Sequence, residues 1–333
     1  MTPRKYDVLG IGNAIVDVIA RAEDDFLSAH GMTKGGMTLI DEPRAEAIYA
    51  AMGPGLEISG GSAANTIAGV ASFGGTAAFI GKVRNDTLGN SFSHDIRAAG
   101  VHFATPPAAD GPASARCLIM VTPDGERTMN TYLGAAQNLQ ADDVDAELVA
   151  AAAITYLEGY LWDPAHAKDA FRKAAAAAHD EGRKVALTLS DAFCVDRYRA
   201  EFLELVRGRT VDMLFANEAE LKSLYQTADF DSALNALRDD ADIAFVTRSE
   251  KGCVVVTREQ TQTVPAFPVE RVVDTTGAGD LFAAGVLFGI ANGSEAADAA
   301  RLGALAAAEV ISHFGARPET SLKALAAENG LAV

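Results

Sequence analysis

The sequence predicts an α/β fold: a doubly wound domain around a mostly parallel central sheet, carrying a small β lid. Two observations carry this. From about residue 140 onward, short apolar runs alternate with helical stretches, the pattern of βαβ units and a parallel sheet. Ahead of that, a Pro-rich stretch holds two extended segments around Pro123-Asp124-Gly125-Glu126, which reads as an antiparallel hairpin. A length of 333 residues suits one elaborated domain or two.

Taken in order, Tyr6–Ile11 is a buried strand entering Gly-Ile-Gly, and Val16–Ala20 and Met37–Ile40 are short strands divided by Gly35-Gly36. Ala63–Phe73 is a small-residue helix, Ala77–Val83 a strand, and Leu88–Ala98 a helix closed by Gly100. The hairpin strands are Ala115–Val121 and Thr128–Leu133. Strands then fall at Ala153–Leu157, Val185–Leu189, Met213–Ala216, Ile243–Thr247 and Cys253–Thr257. Helices Ala165–Glu181, Tyr198–Arg207, Glu218–Gln226 and Asp231–Asp239 separate most of them. Asp280–Ala291, Glu295–Ser312 and Thr320–Asn329 close the chain as helices. The division expected is a core of residues 1–12, 46–104 and 137–333, with an antiparallel lid of residues 13–45 and 105–136.

Composition narrows the function. Hydrophobic residues make up 49 %, ample for a buried core, and the formal net charge is −17. A field of that sign repels nucleic acid and anionic membranes. It also opposes phosphorylated ligands, so a phosphate site has to be built locally from backbone N–H groups, a few cations and a metal ion. Cys117, Cys194 and Cys253 have no ligand-like spacing, so neither a disulfide framework nor a zinc site is expected and a reducing cytoplasm fits. The polar start lacks an apolar signal segment, and no run approaches the roughly 18 apolar residues of a membrane span.

The strongest motif is Asp274-Thr275-Thr276-Gly277-Ala278-Gly279-Asp280, opening an apolar helix. Gly277 and Gly279 permit positive φ and close approach of a phosphate, which then meets the free N–H groups and positive dipole end of the helix. Asp280 lies in that first turn, where an ionised carboxylate can take a proton from an attacking hydroxyl. An ordinary helix start with an acidic first turn fits Gly-Ala-Gly-Asp alone; the seven-residue string is far more specific. In Gly60-Gly61-Ser62-Ala63-Ala64-Asn65, the glycine pair lets a polar ligand touch the backbone and Asn65 offers donor and acceptor to a hydroxyl, although a Ser-capped turn satisfies the same pattern.

Gly10-Ile11-Gly12-Asn13 lacks the third glycine and the long helix of a dinucleotide fingerprint; Asn13 and Asp17 suit vicinal hydroxyls, or simply a turn and a surface acid. A GxxxxGK[ST] phosphate loop is absent, because Gly81-Lys82 is followed by Val83. Asn217-x-x-Glu220 fits a water-mediated magnesium site or an N-capped helix. Thr247, Arg248, Lys251 and Gly252 suit a phosphate-side turn or a solvated hairpin. Arg127 suits a turn charge or a clamp.

Together these residues resemble the PfkB (ribokinase-like) family of carbohydrate and nucleoside kinases across essentially the whole chain. The resemblance rests on Gly60-Gly61 with Asn65, on Asn217-x-x-Glu220 and on Asp274–Asp280, in family order. It implies a Rossmann-like sandwich with a β lid, ATP and Mg²⁺ as cofactors, and K⁺ in many members. It implies Asp280 as base, Gly277-Ala278-Gly279 as an anion hole, and Asn217 and Glu220 as placing Mg²⁺ and phosphates. Arg127 would close over the γ-phosphate, Asp274 and Thr276 would hold a monovalent cation, and Gly315 would lie beside adenine. Asp17, Gly61 and Asn65 would hold the acceptor.

Gly12-Asn13-x-x-x-Asp17 looks most like the adenosine kinase branch, whereas Lys34–Met37 and the hairpin turn look more like less-characterised sugar or nucleoside kinases. The expectation is therefore a nucleoside kinase, adenosine foremost, with a sugar kinase as alternative and a non-catalytic sugar- or nucleotide-binding protein as the alternative of another class. Met37, Phe103, Tyr132 and Leu133 are the candidates for an apolar clamp on a base. Exposed lid edges leave monomer and homodimer open.

Overall fold

The computed structural model describes residues 2–333. The first half runs β1 (Tyr6–Ile11), β2 (Ile15–Arg21), α1 (Asp24–Ala29), β3 (Met37–Leu39), α2 (Glu42–Ala51), β4 (Leu56–Gly60), α3 (Ser62–Ser72), β5 (Ala77–Ile80), α4 (Thr87–Ala98), β6 (Val101–Phe103) and the hairpin β7 (Ala115–Val121) and β8 (Arg127–Tyr132). The second runs α5 (Ala146–Ala150), β9 (Ala152–Glu158), α6 (Ala165–Asp180), β10 (Lys184–Thr188), α7 (Ala192–Arg207), β11 (Met213–Asn217), α8 (Glu218–Leu224), α9 (Phe230–Asp240), β12 (Ile243–Thr247), β13 (Cys253–Thr257), β14 (Thr261–Val264), α10 (Ala278–Ala291), α11 (Ala296–Val310) and α12 (Leu322–Glu328).

The large sheet has nine strands in the order β14-β13-β12-β11-β10-β9-β1-β5-β6. It is parallel from β12 to β6, while β13 and β14 form an antiparallel edge. Its central strands are apolar on both faces, as a sheet covered on both sides requires. On β1, Val8 joins the core packed under α3, α10 and α11, and Leu9 joins the opposite core under α6 to α9. The ribokinase-like α/β sandwich expected from the sequence is the observed architecture.

Helix α10 is buried on nearly every side, from Leu281 to Gly289. Such a helix fits only if its neighbours come close. A Cβ on Gly69 of α3 would lie 2.6 Å from the Ala284 Cβ, and one on Gly285 would strike the Gly303 backbone of α11.

The small sheet has the order β3-β8-β7-β2-β4 and corrects the expectation in two ways. It is mixed rather than antiparallel, because β2 pairs parallel with β7 and β3 parallel with β8. It also takes in Leu56–Gly60, a segment assigned above to the core. The chain leaves the core at Gly12–Ala14, between β1 and β2, and re-enters it at Gly61, between β4 and α3. Helix α7 starts six residues earlier than expected, because Asp191 caps it and Tyr198 is a kink inside it (φ −122°, ψ 19°) rather than its start.

Gly285→Val overfills the α10–α11 contact and is expected to cost about 1–3 kcal/mol, read as a lower urea midpoint. An unchanged midpoint would contradict the packing described.

Candidate active site

A continuous cleft of about 1410 Å³ runs between the small sheet and the C-terminal ends of the core strands. Pockets for one small molecule are commonly ~300–1,000 Å³, so this one has room for two ligands. Asp280 lines it.

Two helix N-termini converge here. Helix α3 starts after Gly61 (φ 97°) and α10 after Gly277 (φ 80°), and neither start carries a side-chain cap. A non-glycine residue would be strained at either position, and a Cβ would also strike the Asn13 carbonyl or Ala316. Nothing lies within 4 Å of the place where a Gly279 side chain would begin, so that face is open to a ligand. The N–H groups of Gly277 and Gly279 have no backbone acceptor among the described residues, whereas that of Ala278 donates to Thr275 O at 3.3 Å. The open donors of this turn are thus the N–H groups of Gly277, Gly279 and Asp280.

Asp280 sits in the first turn of α10. Its Oδ1 accepts from Ser62 Oγ at 2.6 Å and its Oδ2 from Asn65 Nδ2 at 3.2 Å. Burial pushes its pKa up, and these two hydrogen bonds and the charge of Arg317 pull it back. Asn13, Asp17, Gly61, Ser62 and Asn65 line the same end of the cleft. Gly60 is needed beneath them because its missing side chain makes room for the Asp17 carboxylate. Burial raises the Asp17 pKa to about 6, against the opposing charges of Arg317 and Arg127.

Asn13 donates to Glu158 Oε1 at 2.6 Å, and its own buried Oδ1 has no partner. Glu158, which also accepts from Ala63 N at 2.9 Å, is 1 % exposed, and burial raises its pKa to about 7. Sequence reasoning missed it. The available signal was a carboxylate immediately beyond a predicted parallel strand, where such sheets bind ligands.

Asn217 and Glu220 line the far end of the cleft and form a reciprocal capping box on α8: Asn217 Oδ1 accepts from Glu220 N at 2.9 Å, and Glu220 Oε2 from Asn217 N at 2.9 Å. Glu220 is 5 % exposed; burial, opposed by the Asn217 N–H and aided by the charge of Asp191, raises its pKa to about 7. Among the described residues no three His, Cys, Asp or Glu side chains stand ready to cage a metal. A buried oxygen donor that lacks a cation fits Mg²⁺ held through water and phosphate, the ion's usual mode.

Asp274 is another matter. Its Oδ1 accepts from Thr276 N (3.0 Å) and Thr276 Oγ1 (2.7 Å), and its Oδ2 from Gly315 N (3.0 Å) and the Arg127 guanidinium. Four donors fill the carboxylate, so these side chains as arranged do not fit a monovalent cation. Arg127, carried by the lid, is bound to Asp274 and, at 3.4 Å, to Thr276 rather than extended into open cleft.

Other expected residues divide. Thr247 and Gly252 line the cleft. Arg248 turns away, with Nε on Glu218 Oε2 at 2.9 Å and its guanidinium 4.0 Å above the Phe230 ring. Gly315 does not line the cleft, although Ala316 does; its N–H is held by Asp274. Met37 and Leu133 face the cleft. Phe103 does not, being packed on Phe79 and Phe92 in the core. Neither does Tyr132, which donates to Glu42 at 2.9 Å: strand pleat puts Met129 and Thr131 of β8 on the cleft side and Tyr132 on the other.

Raised carboxyl pKa values carry a sign. Glu158 and Glu220 stay protonated in the folded, ligand-free protein up to about pH 7, whereas an unfolded Glu ionises near 4.5. The contribution of these two groups is therefore fully present below pH 4.5 and lost as pH rises to about 7, by about 1.4 kcal/mol per pH unit for each Glu. The Tm in EDTA is expected to fall from pH 5 to pH 7.5, less so in Glu220→Gln; a Tm that rises across that window contradicts the assignment.

The model of the pfkB family carbohydrate kinase matches residues 56–323. Fructokinase-1 of Zea mays is 28 % identical over 260 residues, covering 76 % of this chain and 80 % of its own. Adenosine kinase of Saccharomyces cerevisiae is 25 % identical over 327 residues, covering 92 % and 94 %. Among solved structures, a probable sugar kinase protein from Rhizobium etli CFN 42 is 54 % identical with a TM-score of 0.93, covering 99 % of this chain and 100 % of its own. The adenosine kinase from Sinorhizobium meliloti is 57 % identical with a TM-score of 0.91, covering 98 % and 99 %. The chain belongs to the pfkB family, and is accordingly a phosphotransferase that acts on a hydroxyl group of a nucleoside or sugar.

Proposed function

We propose that this kinase transfers the γ-phosphoryl group of ATP to the primary hydroxyl of a nucleoside, with adenosine as the acceptor. The two-sided character of the acceptor end of the cleft carries the reading. One side is polar: Asn13, Asp17 and Asn65, suited to ribose hydroxyls. The other is the inner face of the lid, where Met37, Leu39, Ile119, Met129 and Leu133 form an apolar wall. Met37 and Leu39 are 48 % and 52 % exposed, a cost that a flat base would remove by burying them. A free sugar would set its hydroxyls against the same wall without hydrogen-bond partners.

Asp280 is the general base. It takes the proton of the acceptor hydroxyl as that oxygen bonds to the γ-phosphorus and the bond to the ADP oxygen breaks. The N–H groups of Gly277 and Gly279, at the positive end of α10, stabilise the charge on the transferring group. Arg127, brought by the lid onto the loop ahead of that turn, adds positive charge beside it. Glu220 and Asn217 would hold Mg²⁺ through water, and the ion would neutralise phosphate charge when bound. K⁺ is given no role.

The sugar reading keeps two likenesses in its favour, to the Rhizobium etli protein and to Fructokinase-1 of Zea mays. ADP release with adenosine, other ribonucleosides, ribose and fructose separates the two. Adenosine is expected to exceed both sugars in kcat/KM by at least about 10²-fold; the reverse order sinks the nucleoside assignment. Asp280→Asn is expected to lower kcat by about 10²–10⁴-fold at unchanged Tm, and undiminished turnover would remove Asp280 from the chemistry.

A further inference from the structure

Arg317 belongs to no motif read above, yet it stands behind the base. It lies in the segment between α11 and α12, which is pinned on both sides. Gly315 N donates to Asp274 Oδ2 at 3.0 Å, and Glu309 Oε1 accepts from Glu319 N at 2.9 Å and Thr320 N at 3.1 Å. From this fixed stem, Arg317 Nε donates to Asn65 Oδ1 at 3.2 Å.

That bond decides which way the Asn65 amide points. With Oδ1 turned to Arg317, Nδ2 is turned to Asp280 Oδ2. The flipped amide would oppose two donors on one side and two acceptors on the other. We propose that Arg317 is a positioning residue for phosphoryl transfer, holding Asn65 so that it orients the Asp280 carboxylate and supplying the positive charge that keeps this carboxylate ready to accept a proton.

The energetics of Arg317 point the same way. Its Nη2 is buried without a hydrogen-bond partner, and no carboxylate lies within 4.0 Å of the guanidinium among the described residues. Burial lowers its pKa, and the charges of Asp95, Asp17 and Asp280 offset this only in part. A buried cation without a close ion-pair partner is a burden on the fold, so its removal should not destabilise the protein.

The charged and titratable groups facing Asp280 are Asp17 on β2, Tyr156 and Glu158 on β9, Tyr160 just after β9, and Arg317. Arg317 is the one cation among them. With it gone, no cation offsets the burial of Asp280, and its proton affinity rises.

The inference rests on Asp280 as base, so Asp280→Asn is measured alongside. In Arg317→Met, kcat is expected to fall by about 10–10²-fold. The acid limb of kcat is expected to move to higher pH, the KM for ATP to stay within about twofold, and the Tm to hold or rise. Arg317→Lys should restore the position of the acid limb more than the rate, because it returns the charge without the Nε–H geometry. A fall in kcat with an unmoved limb, or with a fall in Tm, would reduce Arg317 to a structural part. Unchanged kinetics in Arg317→Met with a dead Asp280→Asn would overturn the role of Arg317 alone; an active Asp280→Asn would overturn the base itself.

Discussion

Close contact between α3 and α10 is the constraint on which the site depends. Ser62 and Asn65 reach Asp280 only because the two helices begin side by side, and they begin side by side because Gly69 admits Ala284. Both helices start from positive-φ glycines without side-chain caps. Elsewhere Asp41, Asp86, Asp191 and Asn217 close the helix starts with their own oxygens. Beside Asp280 the starts of α3 and α10 have no such cap: on α3 the Ala63 N–H goes to Glu158, while on α10 the N–H groups of Gly277, Gly279 and Asp280 stay open, as an anion site requires.

A chain with net charge −17 that binds a nucleotide has to solve an electrostatic problem locally. The cleft adds to the problem, since Asp17, Glu158, Glu220 and Asp280 all line it. Burial answers part of it, by making ionisation of these carboxylates costly until a cation or phosphate-bound metal arrives. Arg127 and Arg317 answer another part, entering from the lid and from the C-terminal segment. Electrostatic complementarity is thus assembled by folding and completed by the ligands.

The sequence was most legible where a backbone requirement forces a residue type. Gly277, Gly279 and Asp280 form one local string whose chemistry depends on a helix start, so their spacing alone disclosed them. The central strands were equally plain, because burial on both faces leaves unbroken apolar runs. The edge strands β4 and β14, by contrast, are short and largely exposed, and carry little apolar pattern. Phe103 and Tyr132 were misplaced because composition suggests a base clamp, whereas pleat and packing decide which way a ring faces. Arg317 was illegible for a different reason: its partner Asn65 is 252 residues away, and no local rule connects them. Arg127 was recognised as a cation, but its attachment to Asp274 follows only once the lid is folded over the core.

The route of the chain between the two sheets has a mechanical consequence. Four connections join the two sheets, at Gly12–Ala14, at Gly61, ahead of β7 and after β8, and Asn13 and Gly61 in the first two also line the cleft. Residues at such connections are held by the core, whereas Arg127 and Met37 reach the cleft only through the strands of the small sheet that carry them. The cleft is thereby lined from two sources, one set by the core alone and one set by how the small sheet sits on it, and a substitution in the small sheet that alters its seating would change the apolar cover and the Arg127 contact before it changed the polar end.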